Sequence, residues 1–240
     1  MYRTFTLAGL MALALSTSAC VTNRPDALAQ HDPFEPTNRA IFNTAQKVDK
    51  YVLKPAAQGY VAVVPKPARN GLHNILVNMN LPVVFGNEVL QGSPGSAAST
   101  LGRFVVNSTI GVGGVVDVAS KIGIPSDDQD GGITLGKWGL REGPYLFSPL
   151  GPSNPRDALG SFSDGYLQPL HYVNFPGANT LGYARRGLGI IDGRAENLDT
   201  LDEIQRTSID FYATTRSLYR QHRAALIDGG KADTQALPNF

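Results

Sequence analysis

The most regular pattern of apolar and polar positions falls late in the chain. Ile204, Phe211, Leu218 and Ala225 recur every seven residues, Leu201 and Tyr212 fill in the same side, and Arg206, Asp210, Arg220 and Arg223 take the other. This spacing predicts one amphipathic helix from Leu201 to Ala225, ending at Gly229–Gly230. Near the start, Ile41, Ala45, Val48 and Val52 recur at three and four after Pro36. Proline suits a first helical turn, and Pro55 marks the expected end. From Arg69 to Glu88 no charge intervenes when His73 is neutral. Asn70, Asn74 and Asn78 stand four apart there and form an uncharged polar stripe, while Leu72, Ile75, Leu76 and Met79 cover much of the remainder. Two readings stay open: an ordinary helix with asparagine on its exposed face, or a helix in or near a membrane, where amides tolerate burial better than charges. Pro82 and the asparagines speak against a spanning helix.

Ser93–Pro94 is a plausible cap and first turn, and the charge-free run Phe104–Val116 is cut by Gly111, Gly113 and Gly114. A helix, a glycine break and a second short helix are expected. "PSDDQDGGITLGKWGLREGPYLFSPLGPSNPRDALG" reads as turns and irregular loop with a hairpin around Gly143–Pro144, and "DALGSFSDGYLQPLHYV" as an interrupted helix. No internal repeat and no convincing set of strands emerges, so the predicted class is mostly α.

The chain start changes the picture most. Arg3 precedes an apolar run, Phe5–Leu15, interrupted only by Thr6 and Gly9, and small residues Ser16–Ala19 follow. This is the order of a secretory signal, and the run is shorter than the roughly 20 residues a bilayer requires. The single cysteine, Cys20, comes directly after it. Segments 1–19 and 20–30 therefore read as leader and tether, 31–230 as one domain, and 231–240 as a disordered tail. With one cysteine no intrachain disulfide forms, and stability comes from packing.

Only 17% of residues are charged, against about 25% in typical soluble domains. The 21 basic residues include Arg3 of the leader, so the remainder balances the 20 acidic ones. Nucleic acid, which is held by clustered Lys and Arg, is not an expected partner. Sparse charge beside ordinary hydrophobicity suggests that much of the surface meets something other than water.

Catalytic motifs are weak. "GSFSDG" places its serine wrongly for a nucleophile elbow, and the four histidines form no H-E-x-x-H pair. Ser126, Asp128, Asp130 and Gly131 match the start of a calcium loop, but Lys137 stands where a bidentate glutamate is needed. "GVGG" would need a third glycine at Val116 to bind a dinucleotide. No enzyme activity and no metal are expected. Trp138 and Tyr145 read equally as membrane-interface anchors or as core aromatics.

From about Asp32 to Val173 the chain resembles the MlaA/VacJ family of outer-membrane lipoproteins. The resemblance lies in "DPFEPTNRAIFN", "VPKPARNGLHNILVNMNLP" with "NEVLQG", "RFVVNSTIGVGGVVDVAS" and "TLGKWGLREGPYLFSPLGPSNPRDALG", in the family's order. "STSAC" resembles a lipobox, with Thr17 where leucine is usual. The pattern implies a diacylglycerol and an N-acyl chain on Cys20, and Val21 after it implies the outer membrane. The family implies a helical disc or ring of amphipathic and interfacial helices, embedded in the inner leaflet, with a channel. It implies trimeric porin and a soluble periplasmic lipid carrier as partners, and removal of misplaced phospholipid from the outer leaflet as the function. The other reading is a structural, porin-associated envelope lipoprotein without transport. Asn38, Phe42 and Asn43, in the first family block, become candidates to shape or gate the path, and Asn74 and Asn78 candidates to line it. Arg156 and Asp157 read as an ion pair tying the loop, with a headgroup contact the alternative. Gly143, Pro144 and Tyr145 are expected to set loop shape, and the late helix to face periplasm or porin, or simply the core.

Overall fold

Most helices form where the apolar spacing places them, but Gly131–Lys137 is helical within the stretch expected as irregular loop, and prolines and glycines decide how the helices are joined. The computed structural model describes Thr22, residues 24–173 and residues 176–229; the leader, Cys20 and the tail lie outside these described residues. After α1 (Pro25–Ala29), helix α2 (Glu35–Val48) runs through a π-helical turn, Asp49–Leu53, into α3 (Lys54–Val63). The stop expected at Pro55 therefore does not occur. Proline leaves the Tyr51 carbonyl without its α-helical donor, and the widened turn re-spaces the bonds so that the helix continues.

Helix α4 (Lys66–Leu90) carries Pro82 inside it, and α5 (Pro94–Thr109) packs back against it after a turn at Gly92, whose φ is +69°. The glycine break and the short α6 (Val118–Lys121) follow as expected. Leu101, Val105, Ile110, Val112, Ile122 and Trp138 are exposed on this part of the molecule. Among the described residues no helix is long and apolar enough to cross a membrane. Where such side chains adjoin, as Leu101 and Val105 do one turn apart on α5, they offer apolar surface for lipid or another protein to cover.

Helix α7 (Gly131–Lys137) leads to a two-stranded hairpin, β1 (Leu146–Ser148) with β2 (Gly151–Ser153), pairing Phe147 with Pro152. The hairpin turns at Pro149–Leu150, not at Gly143–Pro144. Gly143 instead takes a φ of +75° that feeds Tyr145 into the core, where its N–H donates to the His31 carbonyl at 2.7 Å. Helix α8 (Pro155–Leu167) ends in a 3₁₀ turn, Pro169–His171, matching the expected interruption. Helix α9 (Ala178–Glu196) is not anticipated by the apolar pattern. The long late helix is in fact two, α10 (Leu198–Thr207) and α11 (Phe211–Ile227). Asp210 breaks it: its carboxylate accepts the Ala213 N–H at 3.1 Å and starts a new helix.

The core is aromatic. Phe42, Tyr145, Phe147, Tyr212 and Tyr219 bury one another, with Phe42 edge-on to Phe147 at 5.1 Å and to Tyr212 at 5.4 Å. This cluster joins α2, the hairpin and α11, the elements that frame the site.

Candidate functional site

A cavity of about 780 Å³ opens beside the aromatic core. Ile41, Phe42, Ala45 and Val48 of α2 form one wall, and Phe147, Pro149, Leu150 and Pro152 of the hairpin a second. Gly189, Ile190 and Gly193 of α9, Leu201 of α10, and Phe211 and Thr215 of α11 close the rest. The size falls within the roughly 300–1,000 Å³ of ligand pockets, which are likewise mostly apolar. Leu150, at the hairpin tip, is 87% exposed and stands at the mouth.

Among the described lining residues only Asp49 and Arg194 are charged, and they pair: Arg194 Nε donates to Asp49 Oδ1 at 2.7 Å and Nη2 to Oδ2 at 3.1 Å. Arg194 Nη2 also reaches Asp202 at 3.3 Å, and Lys54 pairs with Asp202 at 2.7 Å. Burial works to lower the Arg194 pKa, but bonds to the two carboxylates outweigh it and hold the guanidinium charged. Neither Asp49 nor Arg194 has a local signal in the sequence, since they stand 145 residues apart.

Of the five asparagine and phenylalanine candidates, Phe42 lines the cavity; Asn38, Asn43, Asn74 and Asn78 do not. Asn38 is buried behind the wall as a fastener. Its Nδ2 donates to Asp32 at 2.8 Å and to the Tyr145 carbonyl at 3.0 Å, and its Oδ1 accepts the Phe147 N–H at 2.9 Å. It thus holds the hairpin onto α2. Asn43 is exposed. Asn74 donates to the Val115 carbonyl at 3.1 Å and Asn78 to Ser108 at 3.0 Å, so these amides secure the glycine turn. In that turn Val112 sits at φ +54°, a strained position for a β-branched residue, and a side chain at Gly114 would run into Asn78.

Arg156 and Asp157 do form the ion pair, at 2.9 Å. Asp157 is shared further: Arg223 reaches it at 2.8 Å, Asn154 at 2.9 Å, and the Tyr219 hydroxyl also donates to it. Asp130, of the calcium-like stretch, caps α7 through Ile133 N–H at 2.8 Å and pairs with Arg223 at 2.6 Å. Tyr145 is core, whereas Trp138 is exposed with its indole N–H on the Leu90 carbonyl at 3.1 Å.

Burial alone would raise the Asp157 pKa, but Arg223, Tyr219 and Arg156 together hold it below the usual carboxylate range. A carboxylate depressed in the folded state stabilises above the unfolded value, near pH 4, and that contribution fades as pH falls through the folded value. Buried Glu88 and half-buried Asp164 are shifted upward by desolvation and act in the opposite sense. The expected result is that stability falls less steeply between pH 5 and pH 2 in Asp157→Asn than in the natural chain, as read from urea midpoints.

The chain is a helical protein with an apolar, ligand-sized cavity, one ion pair among the described residues of its wall, and apolar side chains exposed on α5 and its turn. The chain belongs to the MlaA lipoprotein family, whose model matches residues 30–226. It is 34% identical over 238 residues to the intermembrane phospholipid transport system lipoprotein MlaA of Escherichia coli strain K12, covering 96% of this chain and 93% of the relative. It is also 34% identical over 235 residues to the protein of that name from Haemophilus influenzae, covering 95% and 92%. A solved structure described as "Structural basis for maintenance of bacterial outer membrane lipid asymmetry" superimposes with a TM-score of 0.73 at 32% identity, covering 82% of this chain and 98% of that one. The mostly helical class expected from the sequence is the class of that structure.

Proposed function

We propose that this chain is an outer-membrane lipoprotein whose cavity shields phospholipid during removal from the outer leaflet and transfer to a soluble periplasmic carrier. Cys20 carries the acyl anchor. Helix α5 and the glycine turn, with their exposed Leu101, Val105, Ile110 and Val112, lie in the inner leaflet beside a trimeric porin. The supporting observation is the cavity of about 780 Å³, walled by apolar side chains and carrying a single ion pair. Exposing the acyl chains of a phospholipid to water costs on the order of 20 kcal/mol at about 0.8 kcal/mol per CH₂. A walled apolar path removes most of that barrier without covalent chemistry. The relatives' names, which speak of phospholipid transport, agree with this reading.

Mass spectrometry of the acylated chain, purified gently from membranes, is the test. Intact diacyl phospholipid is expected to accompany it. Porin without lipid would favour a scaffold, and lysophospholipid or free fatty acid a phospholipase.

A further inference from the structure

The outer face of α8 is aromatic and free of charge. From Ala158 to Val173 no Lys, Arg or Glu occurs. The one aspartate, Asp164, turns its carboxylate inward, where it accepts the Gly131 N–H at 3.0 Å and the Asn87 amide at 2.7 Å. Leu159, Phe162 and Tyr166 stand three and four apart, exposed on one helix face. The 3₁₀ turn extends that face: ring centroids step from Phe162 to Tyr166 at 5.3 Å, to His171 at 5.7 Å and to Tyr172 at 5.2 Å. The Tyr172 hydroxyl donates to the Tyr166 carbonyl at 2.7 Å and fixes the turn. Phe162 is 65% exposed and Tyr172 67%. Four adjoining rings, all exposed, make a contiguous patch of the kind that marks an interaction site. Two arginines of α9 flank it. With its amide oxygen facing the guanidinium, Gln168 accepts from Arg185 Nη1 and Nη2, both at 2.9 Å. Arg186 and Tyr183 are exposed and, three apart, share a face. Unlike Arg39, Arg156 or Arg223, neither arginine has a carboxylate within ion-pair distance among the described residues. Burial and Arg186 both lower the Arg185 pKa, and no carboxylate offsets them.

We propose that this corner, the aromatic face of α8 with its 3₁₀ turn and the two arginines of α9, docks on the headgroup layer of a bilayer and prefers anionic phospholipid there. The chain belongs to a lipoprotein family, which puts a lipid surface within its reach. Rings with an apolar body and a polar edge settle where hydrocarbon meets headgroups, and Tyr166 and Tyr172 are of that kind. An exposed carboxylate would be repelled by lipid phosphates, and this face presents none. Arginines without carboxylates of their own keep their attraction for phosphate uncancelled, which is the charge complement of an anionic layer. The inference adds a headgroup-level contact to the acyl anchor and the apolar side chains of α5, and it does not depend on what the cavity carries.

The acylated full chain is reconstituted in nanodiscs of phosphatidylethanolamine and phosphatidylglycerol. Trp138 is the one tryptophan, so Tyr172→Trp in a Trp138→Phe background places a single reporter in the aromatic run. Lipids brominated near the glycerol are expected to quench it about twofold more than lipids brominated at the chain ends. Lipid retained through mild detergent is then counted by mass spectrometry. Phosphatidylglycerol should exceed its share of the disc, Arg186→Gln should lower that excess about fivefold, and Arg186→Lys should keep it. Tyr172 and Arg186 are both exposed, so melting temperatures should not move. A reporter that neither set of bromines quenches, in a chain that does enter the discs, would overturn the docking. Quenching that vanishes when porin is added would give the surface to a protein partner and overturn it equally. An excess of phosphatidylglycerol that survives Arg186→Gln would overturn the anionic preference. Failure of the acylated chain to enter the discs at all would overturn the membrane reading of the whole chain, and this inference with it.

Discussion

Asp32→Ala is expected to cost roughly 3–5 kcal/mol, the penalty for breaking a buried ion pair from one side. Asp32 is 0% exposed. Its carboxylate accepts from Arg216 Nη1 at 2.7 Å, from Asn38 Nδ2 at 2.8 Å and from the Tyr212 hydroxyl. Truncation strands the charge on Arg216, which is itself buried, and leaves two neutral donors short of an acceptor. Against a total stability of about 5–15 kcal/mol, that loss removes a large share of the fold's margin. The urea midpoint should drop accordingly, and Asp32→Asn should drop it less, since its amide oxygen still accepts from Tyr212. A double change, Asp32→Leu with Arg216→Met, should recover most of the loss because no charge is left unpaired. A loss below about 1 kcal/mol in Asp32→Ala would show that the carboxylate is not the node that the geometry describes. The consequence reaches the site, since Asn38 couples Asp32 to Tyr145 and Phe147, and Phe147 shares the cavity wall with Phe42.

What was legible in the sequence is what local physics controls. The starts of α2 and α5 follow from Pro36 and Pro94 in their first turns, and the glycine break from Gly111–Gly114. The Arg156–Asp157 tie was visible because the two residues are adjacent. Where a local signal had two physical outcomes, reading it failed. Pro55 stops a helix unless a π-helical turn absorbs the missing donor, and that choice is made by what the turn faces. "GP" and "SPLG" both favour turns, and only the antiparallel pairing of Leu146 with Ser153 selects Pro149–Leu150. The seven-residue repeat stays in phase across Ser208–Asp210, so periodicity cannot reveal the new cap at Asp210. The asparagines of the first family block and of α4 fare differently again. Asn38 and Asn78 bury their amides and Asn74 is half-buried, but they bond the Tyr145 carbonyl, the Ser108 hydroxyl and the Val115 carbonyl rather than facing the cavity. Asp49 meeting Arg194 is a product of the tertiary fold with no trace in spacing.

Helix α9 leaves little signal in the sequence because Gly182, Gly187, Gly189 and Gly193 weaken it as a helix, each by about 1 kcal/mol relative to alanine. Packing does not demand them: a Cβ at any of the four would meet nothing within 4 Å. Two of them, Gly189 and Gly193, line the cavity, and four residues apart they share a helix face. If the cavity is the lipid path proposed above, an open path accounts for both, since any longer side chain there would occupy it. Gly189→Leu and Gly193→Leu are therefore expected to act in opposite directions on stability and on function. Each should hold or raise the melting temperature, through a helix-propensity gain of roughly 0.5–1 kcal/mol. Each should also fill part of the cavity, and together they should let phospholipid accumulate in the outer leaflet toward the level of a strain lacking the protein. Gly193→Ala, with one carbon added, should clear lipid nearly as well as the natural chain while sharing the stability gain. Leucine variants that clear phospholipid normally would place the path elsewhere in the molecule. Leucine variants that melt at lower temperature would mean instead that α9 needs its glycines for packing in the membrane-bound state, and that the open face serves a neighbour rather than a passing lipid.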